Sequence, residues 1–159
     1  MRNIFLLSLG CSKNTVDSER LMAQAAASGM TFTEVADDAE IILINTCGFI
    51  QDAKEESIAE TLAAIRKKQD GAVQKVFVMG CLPELYRKEL GEEMPEVDGF
   101  FGTRELPEVL QAIGAGYREE LLDRRMLLTP PHYAFLKIAE GCNRQCSFCS
   151  IPKIRGRYR

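Results

Sequence analysis

The chain has 159 residues, 46% hydrophobic and 27% charged, with a formal net charge of −3. This is ordinary globular composition with enough apolar material for one full core, and it excludes a disordered, fibrous or low-complexity protein. No apolar run is long enough to span a bilayer, and a small negative charge leaves no electrostatic footprint for nucleic acid.

In chain order, Ile4 to Leu9 is a continuous apolar run. It superficially resembles the core of a signal peptide, but it is too short and no small-residue cleavage site follows. It reads instead as a first strand buried on both faces, and a cytoplasmic protein with no membrane partner is expected. A helix then starts near Asn14, a plausible N-cap, with Asp17 and Glu19 in its first turns and Gly29 as its stop. Ile41 to Ile44 is the second apolar strand. A helix from about Asp52 to Gln69 has Ile58, Leu62 and Ile65 as its inner stripe. Val76 to Met79 is a third strand, Leu82 to Leu90 a short helix, Val97 to Phe101 a fourth strand, and Glu105 to Ile113 a further helix. Strict alternation of strand and helix implies an α/β fold with a parallel sheet flanked by helices. Residues 1–114 read as this α/β domain and residues 115–131 as a linker closed by Pro130 and Pro131. Residues 132–159 begin a second domain, with Ala134 to Ile138 as its first strand. His132, the only histidine, sits beside the linker and reads as structural.

Six cysteines in a chain of this kind need a reason. Disulfides are disfavoured in the cytosol, so metal and redox roles come forward. Cys11, Cys47 and Cys81 each follow a strand, and each lies next to a glycine: Gly10, Gly48 and Gly80. In a parallel sheet such strand ends share one edge, where open α/β folds bind ligands. Glycine there permits a tight turn and close approach of a bulky ligand. Three thiolates would suit an iron–sulfur cluster with one open iron. Three independent buried thiols, or a zinc site, are the alternatives, although no Cys-x-x-Cys pair or nearby histidine supports zinc.

The second set is more specific. Glu140-Gly141-Cys142-Asn143-Arg144-Gln145-Cys146-Ser147-Phe148-Cys149 places three thiols within eight residues. They can wrap one cubane cluster with each sulfur on a different iron. A ferredoxin would bring a fourth cysteine, and none is close here, so one iron stays open. No Gly-x-Gly-x-x-Gly follows a strand, which argues against nucleotide binding through a glycine-rich loop.

The spacing of Cys142, Cys146 and Cys149, with an aromatic before the last cysteine, resembles the radical S-adenosylmethionine superfamily. Both constellations together resemble its methylthiotransferase family over essentially the whole chain. The resemblance implies two 4Fe-4S clusters, one on Cys11, Cys47 and Cys81 and one on Cys142, Cys146 and Cys149. The latter would bind S-adenosylmethionine through its open iron and release a deoxyadenosyl radical, with Phe148 near the adenosine.

Two branches of the family differ at their motifs. The transfer-RNA adenosine branch usually shows Gly-Cys-Gln-Met-Asn at the first cysteine. This chain has Leu9-Gly10-Cys11-Ser12-Lys13-Asn14, Val16-Asp17-Ser18-Glu19, Asn45-Thr46-Cys47-Gly48-Phe49-Ile50 and, after the second set, Ile151-Pro152. These resemble the branch that modifies an aspartate of ribosomal protein S12. That branch implies S12 as substrate and a flavodoxin-like or ferredoxin-like electron donor. The hydrogen beside the aspartate carboxylate would be replaced by sulfur supplied at the cluster on Cys11, Cys47 and Cys81, and a further S-adenosylmethionine would supply the methyl group. Nucleic acid is not expected as a partner of this stretch. No general base stands out, so the six cysteines are the expected site residues. A non-catalytic iron–sulfur or electron-transfer module is the competing class. From Tyr133 to Arg159 there are 27 residues, whereas a (β/α) barrel takes roughly 200 or more. The chain therefore reads as an N-terminal fragment, inactive alone, and its basic end from Lys153 to Arg159 reads as a loop.

Overall fold

The structure, a computed structural model, describes residues 2–159. Five strands form one sheet: β1 (Asn3–Ser8), β2 (Thr31–Thr33), β3 (Ile41–Thr46), β4 (Lys75–Gly80) and β5 (Gly99–Phe101). Their order is β2-β1-β3-β4-β5 and every pairing is parallel. The helices are α1 (Ser12–Ala27), α2 (Gln51–Gln69), α3 (Cys81–Glu93), α4 (Leu106–Ile113) and α5 (Ile151–Arg155). Alternation along β3 and β4 divides the core in two. Leu43, Phe77 and Met79 pack with Leu21 and Ala25 of α1 and Val109, Leu110 and Ile113 of α4. Ile42, Ile44, Val76 and Val78 pack on the other face with Ala64 and Ile65 of α2 and Leu82 and Leu90 of α3. The expected parallel α/β sheet is therefore present, with apolar strands because both faces are covered.

Several local expectations are corrected. The sheet has a strand that sequence reading passed over, β2, a three-residue edge piece whose Thr-Phe-Thr is too short to show a period. The N-cap of α1 is Cys11, and Asn14 lies inside the helix, wholly buried. Asp17 and Glu19 stand beyond the first turn and face residues 125–155 rather than the helix terminus. In α2 the buried residues are Ser57, Thr61, Ala64 and Ile65, while Ile58 and Leu62 are exposed. Small side chains bring the helix close to the sheet, and the larger ones are displaced to its flank, facing α3. The strand expected at Val97 begins at Gly99.

The segment 134–138 forms no strand. A strand exists only through a neighbour's backbone hydrogen bonds, and here the contacts run elsewhere. The Phe135 carbonyl accepts from Arg125, the Ala139 carbonyl accepts from Lys13, and Glu140 exchanges both backbone hydrogen bonds with Arg159. Leu136 and Ile138 stay exposed. The stretch 115–131 is irregular, apart from a 3-10 turn at Glu119–Leu121, but it is not loose. Gln24 clasps both backbone groups of Arg118, and Glu19 accepts from the Leu128 amide.

Candidate iron–sulfur site

The strand order places β1 and β3 side by side while their connections leave in opposite directions, toward α1 on one face and α2 on the other. That is the topological switch point of an open α/β sheet, where a crevice forms beyond the strand ends. Cys11 follows β1, Cys47 follows β3 and Cys81 opens α3 straight after β4. All three line one cavity of about 450 Å³. Cys47 and Cys81 are buried and Cys11 is exposed.

The loops holding these thiols are fixed by short polar bonds. Ser57 accepts from the Cys47 amide and donates to its carbonyl, both at 3.1 Å. The Asn14 side-chain amide donates to the carbonyls of Leu9 and Thr46, at 3.0 and 2.9 Å. The Asn45 amide returns to the Asn14 carbonyl at 2.9 Å. One buried asparagine thus ties the turn after β1 to the turn after β3. Gly10 has φ +86°, and a Cβ there would stand 2.6 Å from Cβ of Cys47. A Cβ on Gly48 would meet the Leu82 backbone at 2.9 Å. Both glycines are required by close packing of the three cysteine turns.

The far wall of the cavity comes from the end of the chain: Gly141, Ile151, Ile154 and Arg155, with Phe49, Ile50 and Ala53 completing an apolar lining. Ile154 and Arg155 are buried. Burial pushes the Cys81 thiol up to about 11; Arg155 opposes this, and the neighbouring Cys47 and Cys11 add to it. A thiol in such a place becomes a thiolate when a cation or a metal supplies the balancing charge. Arg155 keeps its own charge although burial works against it, because the Asp17 carboxylate lies 2.5 Å away.

Three soft sulfur donors, no histidine, an apolar enclosure and two cations, Lys13 and Arg155, at the wall fit an anionic iron–sulfur cluster. Cys11, Cys47 and Cys81 are the residues that could hold it. Among the described residues no three Cys, His, Asp or Glu side chains are placed around a single metal ion; a cubane instead spreads its thiolates over different irons.

Cys142, Cys146 and Cys149 lie together on the irregular stretch before α5. The Cys149 amide donates to the Cys146 carbonyl at 3.1 Å and the Arg144 amide to the Cys142 sulfur at 3.4 Å. Cys146 is exposed and the other two are half-buried. Phe148 points to solvent, 89% exposed. The two sets do not share a cavity lining: the strand-end cavity includes Gly141 but none of these three cysteines. Sequence reading missed Arg155 and the structural role of Asn14. The signal for Arg155 was weak, a basic residue among three others near the end of the chain.

Fold and cavity together define an open α/β protein with a three-thiol pocket at its switch point, walled in part by residues on either side of a second cysteine loop. The chain belongs to the uncharacterized protein family UPF0004, whose sequence model matches residues 3–102. It is also similar to three curated proteins, each called ribosomal protein uS12 methylthiotransferase RimO. The one from Chlorobium limicola is 90% identical over 99% of this chain and 37% of the relative. Those from Chlorobaculum tepidum and Pelodictyon phaeoclathratiforme are 82% and 78% identical, each over 98% of this chain and 36% of the relative. The chain thus spans little more than a third of the length of these curated relatives.

Proposed function

We propose that this chain is the cluster-bearing region of a radical S-adenosylmethionine methylthiotransferase that modifies an aspartate side chain of ribosomal protein uS12. Cys11, Cys47 and Cys81 hold one four-iron cluster, and Cys142, Cys146 and Cys149 hold the other. The observation that carries the reading is the convergence of three thiols, far apart in sequence, on one cavity at the sheet's switch point. The relatives' shared name and their identity to this chain support the substrate.

When bound, clusters with an open iron supply one-electron reduction of S-adenosylmethionine at the loop site and a sulfur-carrying centre at the strand-end site. The chain's own contribution is placement. Asn14 and Ser57 fix the turns that carry Cys11 and Cys47, the fold buries Cys47 and Cys81, and Arg155 and Lys13 balance negative charge. The division into an α/β domain over 1–114, a connecting stretch over 115–131 and a second domain from 132 belongs to the same proposal. It is supported by the left-handed cap of α4 at Gly114, with φ +85°. A cytoplasmic setting and a low-potential flavodoxin-like or ferredoxin-like donor follow from a ribosomal substrate and a reductive step.

Iron and acid-labile sulfide per chain, after anaerobic reconstitution, test the site. The Cys11→Ala/Cys47→Ala/Cys81→Ala and Cys142→Ala/Cys146→Ala/Cys149→Ala triple variants should each lose about half the iron, as two cubanes require. An unchanged iron content in the first variant would reduce the strand-end cysteines to packing residues. For the substrate, the protein that carries this chain is supplied with S-adenosylmethionine, sulfide, reductant and uS12. Mass spectrometry should find a methylthio group on a uS12 aspartate. Modification of transfer RNA instead would move the protein to the adenosine branch.

A further inference from the structure

Arg155 ends α5, a short helix after the second cysteine set, yet its side chain is 3% exposed and reaches the first set. One edge of its guanidinium meets two acids: Nη1 lies 2.5 Å from Asp17 and 3.3 Å from Glu140. The other edge meets the cavity: Nη2 donates to Asn14 Oδ1 at 2.5 Å and approaches the Cys81 sulfur at 3.7 Å. Lys137 takes the remaining oxygens of both acids, at 2.5 and 2.6 Å. Two acids are thus matched by two bases, and the Nη2 edge is left to face sulfur.

We propose that Arg155 is a positioning residue for the strand-end site, orienting Cys81 and setting the redox potential of the cluster there from the segment that carries the other three cysteines. This rests on the reading of Cys11, Cys47 and Cys81 as cluster ligands. An N–H donor and a positive charge beside a ligating sulfur favour the reduced, more negative cluster and so raise its potential. Burial keeps solvent and salt from screening the effect. Arginine suits the place because its planar fork serves both edges at once; a lysine ammonium is a point charge. Since α5 directly follows the second cysteine loop, the seating of that loop fixes where the charge stands.

The test uses the chain carrying Cys142→Ala/Cys146→Ala/Cys149→Ala, so that only the strand-end site is loaded. The midpoint potential is read by redox titration with electron paramagnetic resonance. Arg155→Gln is expected to keep its iron and shift the potential negative, and Arg155→Lys to recover part of the shift. If Arg155→Gln fails to fold around the unmatched acids, Arg155→Gln/Asp17→Asn restores the charge balance and is compared with Asp17→Asn alone. The same negative shift between those two supports the proposal. An unchanged potential and spectrum would show Arg155 to be a fold clamp and overturn it. A parent that takes up no iron overturns the cluster reading itself and this inference with it, whereas a loaded parent with an insensitive potential overturns the inference alone.

Discussion

At Gly10 the backbone is left-handed and the neighbouring turn carries Cys47, so one methyl group acts on both stability and the site. Gly10→Ala adds backbone strain of about 1–3 kcal/mol and pushes its Cβ into Cys47. The expected outcome is that loss in urea unfolding, together with reduced iron at the strand-end site. Glu105 gives a pH dependence of defined sign. Burial alone would raise its pKa, but the hydrogen bonds from Arg87 and the Gly102 amide prevail and hold it below the ordinary carboxylate value. A depressed carboxylate stabilises the fold above its unfolded pKa, and that stability fades as pH falls through the folded value. The pair is partly exposed, so the effect is about 0.2–1 kcal/mol. Unfolding free energies of wild type and Glu105→Gln should differ near neutrality and converge in acid. The cysteines themselves were legible because thiols at strand ends and a tight cysteine loop are patterns of spacing. Arg155 was not, because its meaning lies in contacts with Asn14, Asp17 and Cys81 that no local period announces.

Among the elements, α1 does more than cover the sheet. Its buried Glu19 accepts from the Leu128 amide at 3.0 Å and pairs with Arg125 at 3.4 Å, which holds the stretch after α4 against the helix. Glu19→Ala leaves that amide without its acceptor and Arg125 without its counter-charge, at a cost of about 1–3 kcal/mol. Trypsin should then cut faster after Arg124 or Arg125, as read by limited proteolysis. The α2 helix shows where element-level reading goes astray. Its length and charge pattern were plain in sequence, but its buried face was assigned by residue size. The sheet accepts Ser57, Thr61 and Ala64 because they permit close approach, and Ile58 and Leu62 line a groove against Leu82, Tyr86 and Leu90 of α3. The edge strand β2 and the helix α5 were invisible for a simpler reason: three and five residues are too few to establish a period.

Across the molecule, a buried ionic cluster ties Lys137, Glu140 and Arg155 to Asp17 of α1. Lys137 is 6% exposed and bridges Asp17 and Glu140. Burial would raise the pKa of Glu140, but Lys137, with help from Arg155 and Lys13, lowers it instead. Removing one member of a buried ionic set costs about 3–5 kcal/mol because its partners stay behind uncompensated. Lys137→Met should therefore speed hydrogen exchange over residues 137–142 and around α5, while amides of β3 and β4 keep their protection.

The switch-point site also has a consequence for biogenesis. Its three thiols come from three strands that are brought together only by the finished sheet, whereas the second set lies within eight consecutive residues. A nascent chain can offer the second set to a metal donor as soon as that loop emerges. The first set exists only after the long-range pairing of β1, β3 and β4 has closed. If that site takes up the proposed cluster, its loading reports that the sheet has closed, and a ligand bound there would hold the native state by mass action.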